Sequence, residues 1–318
     1  MSISVVLTSF NYARYLPQSL GAILAQTRPA DELIIIDDGS GDGSVELIEA
    51  MIADRPEARL IRNTVNVGCV TNMNRGMAQA RGEMILFAAA DDELHPDFLR
   101  ECADLLARHP QAALCSTASL IMDETGRRFP PLPAPVPLTR PGFIPPARVA
   151  RLLMREDGWF MGNATLFRRA CLLDEGGFLP ELESYADGYA SRLLALRHGA
   201  CHHPVPLAVW RRTDRGMAWR ESVDNGKENR RINLVCESMK SSRYFPAKYP
   251  GRWRSRTEFG IYRFNIECGL RKEEGERKKY FNVIRKTLKR VMIAGLFVRK
   301  RWFDLCSMPI RYIRYWVR

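Results

Sequence analysis

Leu33-Ile34-Ile35-Ile36-Asp37-Asp38-Gly39-Ser40-Gly41-Asp42-Gly43-Ser44 holds a strand, an acidic loop and the start of a helix in one short run. Four consecutive aliphatic residues bounded by turn formers predict a strand buried on both faces, as in a parallel sheet. Two carboxylates stand where that strand ends, and ligands gather at the carboxyl ends of strands in open α/β sheets. Three glycines follow, able to turn tightly or let a ligand approach the backbone. Ser44 then opens a helix whose apolar residues Leu47, Ile48, Met51 and Ile52 recur at helical spacing.

The pattern repeats on either side. Ile3 to Leu7 predicts a first strand, and Leu16, Leu20, Ile23 and Leu24 a helix with Pro17 near its start. A strand at 59–62 precedes the polar turn 63–68 and a helix carrying Val70, Met73, Met77 and Ala80. Met84 to Ala88 is the next strand, and a second carboxylate pair, Asp91-Asp92, sits just past it. Phe98, Leu99, Cys102, Leu105 and Leu106 mark another helix. Strand and helix alternating four times indicate a doubly wound, mostly parallel, Rossmann-like α/β sheet. Right-handed crossovers place the acidic loops on one edge.

Residues 129–146 hold eight prolines and read as an extended connector. Beyond it, a short helix is expected over 149–154 and a strand over 159–169. A glycine turn follows at 174–178, then a helix within 181–199 that carries Asp187 near its start. Cys201 to Trp210 reads as a last strand, placed at the sheet edge by Pro204 and Pro206.

The 318 residues are 46% hydrophobic and carry a net charge of +12. From Lys240 to Arg318 there are 22 Lys/Arg against 6 Asp/Glu, so residues 1–239 are net −4. The basic character belongs to the C-terminal part. The eight cysteines include no C-x-x-C pair, and the chain opens directly on a strand. A reducing, cytoplasmic setting without a signal peptide is therefore expected. No apolar run approaches the roughly 20 residues that span a bilayer.

Paired carboxylates at Asp37/Asp38 and Asp91/Asp92, without histidine or cysteine partners, favour a hard cation such as Mg²⁺ or Mn²⁺. A lone carboxylate on a separate element, Asp187, suits a base. Neither G-x-G-x-x-G nor G-x-x-x-x-G-K-[ST] follows a strand, which excludes the dinucleotide and P-loop signatures. His202-His203 and the cysteines read as packing residues, and His95 as a loop histidine before Pro96.

The run from Ser4 to Tyr12 and the stretch Ile36 to Ser40 resemble the opening of the family 2 inverting glycosyltransferases of the GT-A fold. The resemblance continues through Asn66-Val67-Gly68, Asn74-Arg75-Gly76, Arg81 to Phe87 and Asp91-Asp92, then Gly176-Gly177-Phe178 and the Asp187 helix. It covers residues 3–215. It implies a nucleotide-sugar donor, UDP-linked by preference, and a divalent cation, Mn²⁺ or Mg²⁺. Thr8, Phe10 and Asp38 would surround the base, with Asn66, Gly68 and Asn74 as further nucleotide contacts. Asp91 and Asp92 would serve the metal, Asp187 would be the general base, and Arg211 or Arg212 would stand near the leaving diphosphate. The family's Asp-x-Asp reads here Ala89-Ala90-Asp91, and its Glu-Asp at the base reads Ala186-Asp187. A nucleotide-sugar-binding scaffold without activity, and a nucleotidyltransferase of similar fold, are the competing readings.

The implied organisation is a transferase domain over 1–215, with a nucleotide-sugar half (1–125), the connector (129–146) and an acceptor half (147–215). Residues 216–318 form a basic, largely helical extension. There Phe281, Ile284, Leu288, Val291, Met292, Gly295 and Leu296 share a helical stripe flanked by Lys and Arg, and residues 311–318 interleave cations with aromatics. That composition suits an anionic membrane surface, a solvated charged helix is the competing reading, and no nucleic-acid motif stands beside it. The expected acceptor is a hydroxyl of a glycan or lipid-linked glycan at the cytoplasmic face, in cell-surface polysaccharide or glycolipid synthesis.

Overall fold

The computed structural model describes residues 1–129, 136–213 and 225–270. The expected helical stripe over 281–296 and the aromatic-basic run at 311–318 lie outside the described residues.

Ten strands among the described residues form one sheet. Strands β1 (Ile3–Ser9), β2 (Glu32–Asp37), β3 (Ala58–Arg62) and β4 (Met84–Ala89) are parallel in the order β3-β2-β1-β4. The sheet continues through β9 (Thr165–Arg168), antiparallel to both its neighbours, to β6 (Leu114–Met122) and then β10 (Ala200–Arg211), parallel to β6. The short strands β5 (Glu93–Leu94), β7 (Arg128–Phe129) and β8 (Gly142–Ile144) add antiparallel pairs at the margin.

Alternation along the central strands divides the core in two. Val5, Leu7, Leu33, Ile35 and Leu86 face helices α1 (Leu16–Leu24), α2 (Ser44–Ile52) and α4 (Phe98–Arg108). Val6, Ile34, Ile36, Ile85 and Phe87 face the other layer. That layer holds α3 (Cys69–Gln79), α5 (Pro146–Arg155), α6 (Arg169–Asp174) and α7 (Ala186–His198). A strand covered on both sides needs apolar residues at every position, which is why Leu33 to Ile36 carries no polar interruption. Gly76 of α3 lies against β1 so closely that a Cβ would come within 2.4 Å of Val6 Cγ1.

Three sequence expectations change. β10 is an interior strand, flanked by β6 on one side and by β5 and β8 on the other; its prolines lie where its register with β6 shifts, not at an edge. A bulge frees proline from the ladder as an edge does. The stretch 159–169 is strand only over Thr165–Arg168, after a 3₁₀ turn at Gly162–Ala164. β6 was not anticipated at all: Ser116, Thr117 and Ser119 break the apolar run, yet all are buried.

The C-terminal helices α8 (Asn225–Ser241) and α9 (Tyr249–Leu270) do not form a separate layer. Ile232, Val235, Met239, Tyr249 and Trp253 belong to the same core as α7 and β4. Packing therefore runs past the boundary expected at residue 215, at least to Ile261. Trp253 is 6% exposed and meets Tyr185 edge-to-face at 5.4 Å. Replacing it by alanine should cost about 3–5 kcal/mol in a single urea transition; a helix pair docked loosely on an independent domain would instead leave that transition unmoved.

Candidate functional site

The parallel strands β1, β2 and β4 end on one rim, and a cavity of about 730 Å³ opens there. It brings together Thr8, Phe10, Asp38, Asn66, Gly68, Asp91, Asp92, Asp187, Arg211 and Arg212, all named from sequence alone. Ala89 and Ala90 line it too.

Each carboxylate is positioned differently. Asp37 turns back into its own loop and accepts from the Ser40 amide at 2.8 Å and the Ser40 hydroxyl at 2.6 Å. Asp38 instead reaches across to the turn before α3. Its Oδ1 accepts from Val67 N–H and Asn63 Nδ2, and its Oδ2 from Gly68 N–H, each at 2.9 Å. Burial pushes this carboxyl up, but the donors from Val67, Asn63, Asn72 and Gly68 outweigh it and hold the group below the usual carboxylate range. Gly68 accepts this geometry at φ +94, a conformation side chains resist.

Asp91 and Asp92 behave in the opposite way. Burial raises both, and for Asp92 the neighbouring Asp91 charge raises it further. Tyr12 hydrogen-bonds Asp91. Asp92 Oδ1 accepts the Arg211 amide at 2.8 Å, so it clasps the end of β10. Arg211 is itself engaged: its side chain donates to Asp91 O at 2.9 Å, to Asp123 O at 3.1 Å and to Gln18, and it lies 4.6 Å above the Tyr15 ring. Arg211 is thus a brace under the cavity. Arg212, half-buried beside Trp210, is the basic side chain that remains less enclosed at that rim.

Asp187 sits in the first turn of α7, where burial raises its carboxyl and the Gly188 amide and Arg192 charge partly offset that. Its Oδ1 accepts from Gly188 N–H at 2.6 Å. Across from it, a Cβ on Gly162 would fall 1.6 Å from Asp187 Oδ2, so glycine at 162 is what leaves the carboxylate its place.

Asn74 is the exception among the residues expected to touch nucleotide, and it does not line the cavity. Its amide donates to Phe178 O at 2.8 Å and accepts from Phe178 N–H at 2.9 Å. That paired bond holds the Gly176-Gly177-Phe178 turn against α3, and Phe178 then packs on Phe87 at 4.8 Å. The Asn74 expectation is corrected to a bracing role. An asparagine amide offers one donor and one acceptor side by side, the pattern of a backbone segment.

Several wall residues were not anticipated. Glu183 holds φ 48 and ψ −121, a strained backbone for a non-glycine residue, and its Oε2 accepts from Arg231 at 2.7 Å. Glu228, on α8, accepts from Arg231 at 2.8 Å and from the Tyr185 hydroxyl. Thr257 and Ile261 of α9 close the same side. Nothing in the sequence joined Glu228 to Asp187, because α8 follows a long polar interval. Cys69 lies beside Thr8 at 3.4 Å, and burial pushes its thiol up to about 11. Away from the cavity, His202 packs edge-on against Trp159, and burial lowers it to about 4. Among the described residues, no cluster of three or more His, Cys, Asp or Glu is arranged to hold a metal ion, and no helix is long and apolar enough to cross a membrane.

A family model described as Glycosyl transferase family 2 matches residues 4–173. The chain is 36% identical over 105 residues to an uncharacterized glycosyltransferase of Nostoc sp., covering 33% of each chain. It is 31% identical over 127 residues to a PGL/p-HBAD biosynthesis glycosyltransferase of Mycobacterium bovis, covering 40% of this chain and 49% of that one. The chain thus matches no more than half the length of either relative. S. aureus TarS 1–349 in complex with UDP-GlcNAc superposes with a TM-score of 0.64 at 16% identity, over 92% of this chain and 82% of that one. The mannosyltransferase PcManGT of Pyrobaculum calidifontis, in complex with GDP-Man and Mn²⁺, gives 0.57 at 16%, over 95% and 86%. The fold is therefore the GT-A α/β fold.

The opposite shifts at the rim have a measurable consequence. Asp38, held low, stabilises the fold above the ordinary carboxylate pKa and loses that contribution as pH falls through its lowered value. Asp92, held high, contributes fully only at low pH and loses it as pH rises through its raised value. At pH 7 Asp38→Asn should cost about 1–3 kcal/mol, whereas Asp92→Asn, which removes a buried charge beside Asp91, should stabilise. Both differences should shrink in urea titrations repeated towards the acid limit of the fold.

Proposed function

The chain belongs to glycosyl transferase family 2, and we propose that it moves a sugar, with inversion, from a nucleotide-sugar to an acceptor hydroxyl. The observation that carries this reading is that Asp38, Asp91 and Asp187, from three separate elements, line one cavity at the strand ends.

In this reading the base of the donor, a UDP-sugar by preference, lies between Thr8, Phe10 and Asp38, over the turn containing Asn66 and Gly68. Asp38 is held in place by Asn63, Val67 and Gly68, with the Asn72 amide beside it. A base N–H would share this carboxylate with those donors, and the low pKa keeps it an acceptor. Loops from Asp91 and Arg212 flank the diphosphate.

The residues fit a divalent cation through Asp91: it is a carboxylate on the cavity wall whose charge burial disfavours, so a cation nearby would relieve that cost. Asp92, engaged with the Arg211 amide, supports it from behind. With Ala89 in place of the first motif aspartate, the donor's phosphates must supply most of the remaining oxygens. A bound Mn²⁺ or Mg²⁺ adds positive charge where the leaving diphosphate gains negative charge.

Asp187 takes the proton of the attacking hydroxyl. Its raised pKa brings a carboxylate nearer to the working pH, which improves a base. Gly162 keeps it facing the cavity, and the wall of Tyr185, Glu183, Glu228 and Trp210 offers ring faces and carboxylates to sugar hydroxyls. The acceptor is accordingly taken to be a glycan or lipid-linked glycan of cell-surface polysaccharide or glycolipid synthesis. The basic C-terminal region would hold the enzyme at the cytoplasmic face of an anionic membrane.

The test is donor turnover in the presence of Mn²⁺ over a panel of nucleotide-sugars. Release of nucleoside diphosphate is expected, with kcat/KM falling on the acid side at an apparent pKa above that of an ordinary aspartate. Asp187→Asn should lower kcat by about 10²–10⁴-fold with donor affinity kept, and Gly162→Ala should lower it in the same direction by turning the carboxylate aside. Pyrophosphate release would instead identify a nucleotidyltransferase, and donor binding without any turnover a scaffold.

A further inference from the structure

We infer that the exposed arginine face of α5 is a contact surface for an anionic lipid bilayer. The inference concerns the folded domain and rests neither on the glycosyl-transfer reading nor on residues 271–318.

Residues 125–155 contain six arginines and not one aspartate or glutamate. Arg128 pairs with Glu93, but Arg140, Arg148, Arg151 and Arg155 are exposed and make no ion pair with any described residue. Three of them follow helical spacing on α5, so they point the same way along one face over about 10 Å of helix. Val149 and Leu153 on the opposite face are fully buried, which fixes the rotation of the helix and leaves the arginines outward. The carbonyl end of α5 is covered by further guanidinium groups: Arg252 donates to Met154 O, and Arg256 to Leu153 O at 2.7 Å and Arg155 O at 3.0 Å. The acidic residues that follow do not cancel this face. Asp157 is buried against Arg192 at 2.8 Å, which leaves exposed Glu156 alone at the helix end.

A straight, rigid row of unpaired guanidinium groups matches a plane of anionic headgroups better than a curved or grooved partner. Each arginine near such a surface strengthens binding about fivefold, and the effect is screened by salt.

The experiment is co-sedimentation of the full chain with vesicles of phosphatidylcholine mixed with phosphatidylglycerol, against pure phosphatidylcholine. The triple variant Arg148→Gln/Arg151→Gln/Arg155→Gln should bind the anionic vesicles on the order of 100-fold more weakly, with an unchanged thermal midpoint, because these side chains are exposed and make no ion pair with any described residue. A control with equal loss of charge elsewhere, Arg55→Gln/Arg62→Gln/Arg100→Gln, should bind like the unmodified chain. Undiminished binding of the α5 variant, or an equal loss in the control, would overturn the proposal. So would tighter binding of a single-stranded oligonucleotide than of anionic vesicles, since the face would then belong to another class of polyanion.

Discussion

A strand buried on both faces tolerates no charge between its two ends. β2 carries that constraint furthest: Leu33 to Ile36 are at most 1% exposed, and charge is confined to Glu32 at its start and to Asp37 and Asp38 at its finish. Because β1, β2 and β4 run parallel, their charged ends fall on one rim instead of alternating between two. The convergence of Asp38 and Asp91, far apart in sequence, follows from strand direction before any side-chain detail is considered.

What the rim then does with its carboxylates depends on donors. Asp38 is given two backbone N–H groups and two asparagine amides, enough to overcome burial; Asp91, Asp92 and Asp187 are given fewer, and burial prevails. One residue type thus appears in two electrostatic states across a single cavity. The low group is a permanent acceptor already built into a turn. The raised groups carry an unrelieved cost, which an incoming cation or proton lowers, and that is how a site binds such species without being stable around them beforehand.

The parallel half was legible because its rules are local. Apolar runs, helical spacing and Asp-Gly turns each report on their own few residues, and β1 to α4 fall where those signals put them. Legibility failed where a contact depended on residues distant in sequence. β6 hides behind buried serines and a threonine; Ser116, for example, is satisfied by the Trp159 carbonyl at 2.9 Å, a partner that spacing cannot indicate. Pro204 and Pro206 obeyed the rule against ladder donors, but by a bulge and not by an edge. The Asn74 amide pairs with the Phe178 backbone; a pattern shows an amide without showing which backbone it will meet.

The C-terminal helices are the deepest case. Their composition is basic, and a charge census assigns them to the outside. Yet Tyr249 is fully buried, donating to Asp157 at 2.6 Å and accepting from Arg192 at 3.0 Å. Arg192 in turn donates to Gly188 O at 2.8 Å, one residue from Asp187. A buried ion pair of this kind adds little net stability, because desolvation offsets its attraction, but it punishes any arrangement that leaves one partner alone. It therefore specifies where α9 must dock relative to α7. The same docking brings Thr257 and Ile261 of α9 to the wall of the cavity in which Asp187 stands. Net charge describes the surface a segment shows to solvent; the few residues it buries decide what it builds, and here they complete the far side of the site.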